Sequence, residues 1–293
     1  MKILISDKFS KDLPQRLEEF GEVTENKNEI QNADVILVRS ATKVDKTMID
    51  KAKNLKLVIR GGVGLDNIDV RYCEKKGITV RNTPEASTIA VTELVFTLML
   101  GIIRNIVKAN NSMKNGEWAK DTKGSELYGK TLGIVGLGRI GTEVAKRAKA
   151  FGMNVIAYEK YNKQSEYAEM VSMDEVLKSS DFISLHVPLT DETREMINSK
   201  TISRMKDGVI IINTSRGGVI NEKDLADAIK SGKVRYAGLD VYQQEPPTNS
   251  PLLLLDNTLL TPHLAAQTNE NMERIGNIVY EIIREFKRTN PKL

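Results

Sequence analysis

Short apolar runs rich in Val and Ile alternate with amphipathic segments of helical length along almost the whole chain, in two separate series. This is the pattern of βαβ units, whose strands pair in parallel because each crossover carries a helix. The first series offers KILIS, ADVILV, LKLVI and ITV as strands, with helices near 11–20, 45–53 and 67–76. The second offers TLGIV, NVIAY, DFISL, GVIIIN, VRYAGL and TLLT, with helices near 139–151, 173–179, 199–205 and 222–231. Each series supports its own doubly wound parallel sheet, so the expected class is α/β with two such domains.

Between the series lies PEASTIAVTELVFTLMLGIIRNIVKANNSMKNGEW, which opens with Pro84 after Asn82-Thr83, a helix-start signal. One long helix over 84–115 is predicted to divide the two lobes. The last segment, NENMERIGNIVYEIIREFKR, is amphipathic and is expected to pack back on the first lobe. The second domain, 84–263, is therefore read as an insertion in a first domain made of 1–83 plus 264–293. A length of 293 residues suits two domains of about 100 to 200 residues each.

Composition narrows the chemistry. The single cysteine, Cys73, can form neither an intramolecular disulfide nor a Cys-rich zinc site, which suits a reducing compartment and leads us to expect a cytoplasmic protein without a metal centre. Only His186 and His263 are available to a histidine mechanism. Acids and bases are interleaved at a net charge of +4, so no nucleic-acid footprint stands out, and the basic tail EFKRTNPKL reads as a solvated helix end. LVFTLMLGII has ten residues where a bilayer span needs roughly 20, and MKILISDKF lacks a signal-peptide core, so no membrane partner is expected.

GLGRIG at 136–141 has the form G-x-G-x-x-G, directly after TLGIV and before the helical segment EVAKRAKAF. Gly136 permits the tight turn, Gly138 lets a pyrophosphate approach the backbone, and Gly141 allows close helix packing. Glu159 ends the next strand, 18 positions beyond Gly141 and close to the roughly 20 expected for an acid that binds the adenosine ribose. A carboxylate there accepts the ribose hydroxyls and repels a 2′-phosphate, so NAD is expected over NADP. Arg216, Glu245 and His263 follow the ends of three later strands, in GVIIINTSRGG, AGLDVYQQEPP and NTLLTPH, where an open α/β sheet faces its ligand crevice.

Through GLGRIG, NTSRGGVIN, LDVYQQEPP and TPHLAAQT, in that order, the chain resembles the D-isomer-specific 2-hydroxyacid dehydrogenases over nearly its whole length. The resemblance implies a Rossmann NAD-binding domain inserted in a flavodoxin-like substrate domain. It also implies that His263 acts as acid and base, that Glu245 orients its ring, and that Arg216 binds the substrate carboxylate. These are suitable groups: imidazole titrates near neutrality, and the planar guanidinium fork fits a carboxylate. Cofactor contacts are implied for Gly136, Gly138, Arg139, Ile140, Gly141, Glu159, His186, Val187, Pro188, Thr214, Ser215, Arg216, Asp240, His263, Ala265 and Ala266. His186 has no proton-transfer role in that pattern, and Asp240 also reads as an ordinary loop cap.

RGGVGLDNID at 60–69 follows the strand LKLVI, and backbone N–H groups in Gly61, Gly62, Val63 and Gly64 form a candidate nest for a carboxylate. The same stretch also reads as a strand-to-helix connection with Asp66 as N-cap. With VRSATKVD and SMKNGEW, it resembles the D-3-phosphoglycerate dehydrogenases in particular, in a short form without the C-terminal regulatory domain. That resemblance implies oxidation of D-3-phosphoglycerate to 3-phosphohydroxypyruvate in serine biosynthesis, with Arg39 and Arg60 as candidate phosphate ligands and Arg216 and His263 on the substrate's carboxylate and hydroxyl. Read alone, Arg39 and Arg60 are also solvated strand-end charges. Val63, Val187 and Glu159 depart from residues common in related enzymes. The resemblance further implies a homodimer formed through the 84–115 helix and SMKNGEW. Alternatives are a glyoxylate or hydroxypyruvate reductase, another D-2-hydroxyacid dehydrogenase, or an NAD(H)-sensing corepressor-like binding protein.

Overall fold

The computed structural model describes residues 1–161 and 164–291, so Lys292 and Leu293 of the basic tail lie outside the described residues. The chain divides into two compact units, Met1–Ser87 with Ala266–Leu293, and Thr88–Ala265. The divisions fall a few residues beyond 83 and 263. Arg274 Nε donates to Ala86 O at 2.9 Å, tying 86 to the first unit. Asp240 holds the backbone N–H groups of Leu264 and Ala265, tying them to the second.

In the first unit β1 (Lys2–Ile5), β2 (Glu22–Thr24), β3 (Val35–Val38), β4 (Leu57–Arg60) and β5 (Thr79–Asn82) form a parallel sheet in the order β2-β1-β3-β4-β5. Side chains alternate across a strand, and here both faces are covered, which is why the buried positions of the inner strands are apolar on both faces, with Lys2 and Arg60 only at strand ends. Ile3, Ile5, Leu37 and Ile59 face Leu13 and Leu17 of α1 (Leu13–Leu17). Leu4, Ile36, Val38 and Val58 face Ile49 of α2 (Lys46–Lys51) and Cys73 of α3 (Val70–Lys75). The N-cap of α3 is Asp69, which accepts from Tyr72 N at 3.0 Å, and not Asp66.

The second unit opens with two helices, α4 (Thr88–Ile103) and α5 (Ile106–Lys114), where one helix over 84–115 was expected. They meet at 63° because Asn105 sits in the left-handed region at φ 52°, a conformation that ends a right-handed helix and that Asn tolerates. Its side chain donates to Lys123 O at 3.0 Å and fixes the corner. The helix starts at Thr88 rather than Pro84, because Ala86 N turns back to Thr83 O. No single helix among the described residues is long and apolar enough to cross a membrane.

The sheet of this unit is built from β6 (Thr131–Val135), β7 (Asn154–Tyr158), β8 (Glu169–Met170), β9 (Phe182–Leu185), β10 (Val209–Asn213), β11 (Val234–Leu239) and β12 (Thr258–Leu260). All pairs are parallel and the order is β12-β11-β10-β9-β6-β7-β8. The crossovers include α6 (Arg139–Ala150), α7 (Met173–Ser179), α8 (Ser199–Ser203) and α9 (Glu222–Lys230). On one face Val95, Leu98, Met99 and Ile102 of α4 pack with Val144, Ala145 and Ala148 of α6. On the other, Val176 and Leu177 of α7 cover β6 and β7, and Leu225 and Ile229 of α9 cover β11. Strand order reverses between β6 and β9, so a ligand crevice opens beyond their carboxyl ends. The chain then returns to the first unit as α10 (Asn269–Thr289), which buries Ile275, Val279 and Ile283 against that sheet.

Candidate active site

The turn after β6 is shaped by what glycine permits. Gly136 has φ 94°, and a Cβ there would lie 2.6 Å from His186 O. A Cβ on Gly141 would lie 2.2 Å from Gly136 O, whereas one on Gly138 would meet nothing within 4 Å. Two glycines thus close the turn, and the third leaves the approach to the backbone open. Gly138 is also the N-cap of the 12-residue α6 and has no side chain of its own to cap it, and Arg139, Ile140 and Gly141 form its first turn. Such an end attracts a phosphate through its N–H groups and dipole. Glu159 follows β7, and its Oε2 accepts from Leu137 N at 2.8 Å, so this carboxylate and the glycine turn are held together.

His186 follows β9 with its backbone N bonded to Val135 O at 2.8 Å and its Nε2 2.8 Å from Ser184 Oγ. Burial pushes its pKa down to about 4, so it is neutral at pH 7 and a poor proton carrier there. Val187 and Pro188 continue that strand end, and a Val187 methyl touches the space above Gly136. The hydroxyl of Thr214, after β10, is buried without a hydrogen-bond partner. An open backbone approach, a glycine-capped helix end, an acid beside the turn and an orphaned hydroxyl together fit a dinucleotide.

The trio also lies at strand ends of this unit. Asn213, the buried last residue of β10, accepts from Ser215 N at 3.0 Å and Ser215 Oγ at 2.8 Å and donates to Arg216 O at 2.9 Å. That clasp sets the turn bearing Arg216, whose Nη1 donates to Ser215 O at 2.7 Å. Glu245 and His263 meet directly, Oε2 to Nδ1 at 2.6 Å, and the other Glu245 oxygen accepts from Tyr242 N at 3.2 Å. Burial alone would raise the Glu245 carboxyl, but the His263 hydrogen bond and charge, the Tyr242 N–H and the Arg216 charge outweigh it. The carboxyl is held below its usual range.

His263 has φ 51°. Asp240 anchors its loop, with Oδ1 accepting from Thr261 Oγ1 at 2.6 Å and Leu264 N at 2.8 Å and Oδ2 accepting from Ala265 N at 2.9 Å. The Asp240 carboxylate is fully buried and engaged inside the unit, in keeping with the loop-cap reading of this residue.

The remaining candidates belong to the first unit. Arg39 and Arg60 close the adjacent strands β3 and β4 and share one end of that sheet. Burial lowers the Arg39 guanidinium, with the Asp7 charge opposing. Its Nη1 donates to Gln267 Oε1 at 3.3 Å and to Lys8 O at 3.4 Å, and its Nε is buried without a partner. Arg60 folds back over its own loop, its Nη1 lying 2.1 Å from where a Gly62 Cβ would sit. A Cβ on Gly61 would strike the Phe9 ring at 2.6 Å, Val63 O accepts from Asn82 Nδ2 at 2.5 Å, and Gly64 completes the run. Ala266 O accepts from the Asn271 side chain at 2.7 Å. Sequence reading missed Asn213, whose only signal is an amide at the end of an otherwise apolar buried strand.

A seven-stranded doubly wound sheet with this glycine turn and an acid beside it is a Rossmann dinucleotide-binding domain. Residues 96–265 match the model of the D-isomer specific 2-hydroxyacid dehydrogenase, NAD binding domain. The chain belongs to the D-isomer specific 2-hydroxyacid dehydrogenase family, and its second unit carries the family's NAD-binding domain. It is 50% identical over 303 residues to a D-3-phosphoglycerate dehydrogenase of Methanocaldococcus jannaschii, covering 98% of this chain and 58% of the relative. It is 52% identical over 263 residues to a hydroxypyruvate reductase of Thermotoga maritima, covering 88% and 86%. The fold is similar to a D-lactate dehydrogenase of Aquifex aeolicus solved with NAD and lactic acid, with a TM-score of 0.89 and 33% identity over 100% and 97% of the two chains. The chain spans about three fifths of the length of the archaeal and Bacillus subtilis phosphoglycerate dehydrogenases it matches.

Proposed function

We propose that this protein is an NAD-dependent dehydrogenase that oxidises D-3-phosphoglycerate to 3-phosphohydroxypyruvate, the step that feeds serine synthesis, and that also runs the reverse reaction. The observation that carries the reading is the 2.6 Å contact between His263 Nδ1 and Glu245 Oε2. With Nδ1 engaged, Nε2 is the nitrogen that takes the proton of the C2 hydroxyl, and Glu245 fixes the ring's orientation and stabilises its protonated form. Arg216 holds the substrate carboxylate and polarises the C2 oxygen. Bound NAD supplies the hydride acceptor, so the alcohol loses a hydride and a proton to become a ketone.

The first unit, with Gly61–Gly64, Arg39 and Arg60, takes the role of substrate domain, and the arginines are assigned to the phosphate on C3. Hydroxypyruvate reduction is the second reading, supported by the Thermotoga maritima relative, which this chain covers over 86% of its length. It needs the same trio without the phosphate contacts. The exposed apolar residues Ile106, Val107, Met113 and Trp118 on and after α5 support a homodimer through this face. The lone buried Cys73 suits the reducing cytoplasm.

His263→Ala should lower turnover by about 10² to 10⁴-fold, the usual scale of acid–base catalysis, while NAD binding, followed by fluorescence titration, changes little. A variant that keeps turnover within about tenfold of the parent, below that scale, would remove His263 as acid and base.

A further inference from the structure

Glu222 is the first residue of α9 and is 8% exposed, an unusual place for a carboxylate. It is not needed to cap the helix, because Asn221 already accepts from Asp224 N at 3.0 Å. Its two oxygens reach out of the helix instead. Oε1 accepts from Gln243 N at 2.6 Å, and Oε2 accepts from Ser250 Oγ. These donors stand at the two ends of the irregular segment that carries Glu245.

Each end is tied further. Tyr242 N, next to the Gln243 contact, donates to Glu245 Oε1. The Gln243 side chain donates to Glu195 Oε1 at 3.0 Å, and the Tyr242 backbone packs so closely on Gly217 that a Cβ there would lie 1.9 Å away. Ser250 caps the 3₁₀ turn Pro251–Leu254. The Glu245 side chain itself is 38% exposed, so its aim at His263 depends on where the loop backbone is held.

We propose that Glu222 is a positioning residue for the acid–base pair: its carboxylate pins both ends of the Gln243–Ser250 loop and so sets Glu245 against His263. The inference rests on the proposed roles of His263 and Glu245. Glu222 touches neither substrate nor cofactor in this account and acts only through the loop. Stripping a buried carboxylate from two donors leaves both unsatisfied and frees the loop, and small misplacements of catalytic groups cost rate steeply.

The test compares Glu222→Ala, Glu222→Gln, Ser250→Ala and Glu245→Gln in the full chain, with steady-state kinetics across pH and folding checked by circular dichroism. Glu222→Ala should lower kcat by about 10- to 100-fold with KM for NAD unchanged. The acid limb of its kcat/KM profile for alcohol oxidation should move to lower pH, because the protonated base loses its carboxylate partner. Glu222→Gln should restore kcat to within several-fold, because its carbonyl still accepts from Gln243 N and its amide can donate to Ser250 Oγ. Ser250→Ala, which removes one donor only, should move the limb in the same direction by less.

An unshifted limb in Glu222→Ala, or a loss confined to KM for NAD, overturns the proposal. If Glu222→Ala does not fold, an unshifted limb in Ser250→Ala overturns it equally. Glu245→Gln separates the two levels: if that variant matches the parent, the acid–base reading itself fails. If it is impaired while the Glu222 variants are not, only the positioning role fails.

Discussion

Asp240 and Glu245 stand five positions apart with the same functional group, yet their surroundings give them different work. Three donors fill the oxygens of Asp240 and hold the His263 loop, while Glu245 keeps one oxygen against the imidazole. The sequence made Glu245 and His263 legible because LDVYQQEPP and TPHLAAQT bring characteristic residues to strand ends. It offered Asp240 as a loop cap but did not reveal Asn213 as a clasp or Glu222 as a staple. Those roles depend on where distant loops return in space, and neither periodicity nor spacing encodes that. Glu159 is singled out by its distance from Gly141, and its bond to Leu137 N keeps its charge beside the glycine turn. Glu159→Ala should therefore raise the ratio of kcat/KM with NADP to that with NAD. An unchanged ratio would contradict charge repulsion as the basis of cofactor choice.

Among the elements, long buried strands and amphipathic helices followed directly from the Val- and Ile-rich alternation, whereas β2 and β8 were missed. Both are edge strands of two or three residues with exposed positions, too short to show a period. The break between α4 and α5 was hidden for another reason. Apolar residues continue past Arg104, and only the left-handed backbone at Asn105 ends the helix. At the end of β9, His186 makes a prediction about pH. Its folded pKa of about 4 lies below the unfolded value of about 6.5. The unfolded chain therefore takes up a proton first, and stability declines as pH falls from about 6.5 towards 4. The loss is on the order of 3 kcal/mol over that window. Urea midpoints measured between pH 7.5 and 5 should fall less in His186→Asn than in the parent. Equal slopes would mean that the ring is not held neutral by burial.

For the molecule as a whole, the two series of strands were enough to predict two parallel sheets and an interrupted first unit closed by the last helix. At the unit boundaries Ala86 and Ala265 bond to residues far off in sequence, Arg274 and Asp240, a link that neither periodicity nor spacing encodes. The exposed Val107 and Trp118 bear on assembly. Sedimentation velocity at micromolar concentration should show a dimer, and a Val107→Glu/Trp118→Glu double variant should sediment as a folded monomer. A monomeric parent would contradict the homodimer.

The central claim is that an NAD-dependent acid–base site oxidises a phosphorylated D-2-hydroxy acid, and its most direct test is kcat/KM with NAD for D-3-phosphoglycerate against D-glycerate. Each charge-assisted hydrogen bond to the phosphate is worth about 1.5 to 3 kcal/mol, so the phosphorylated acid should be preferred by at least about tenfold. Equal values for the two acids would contradict the phosphate assignment, and turnover of neither would contradict the reaction itself.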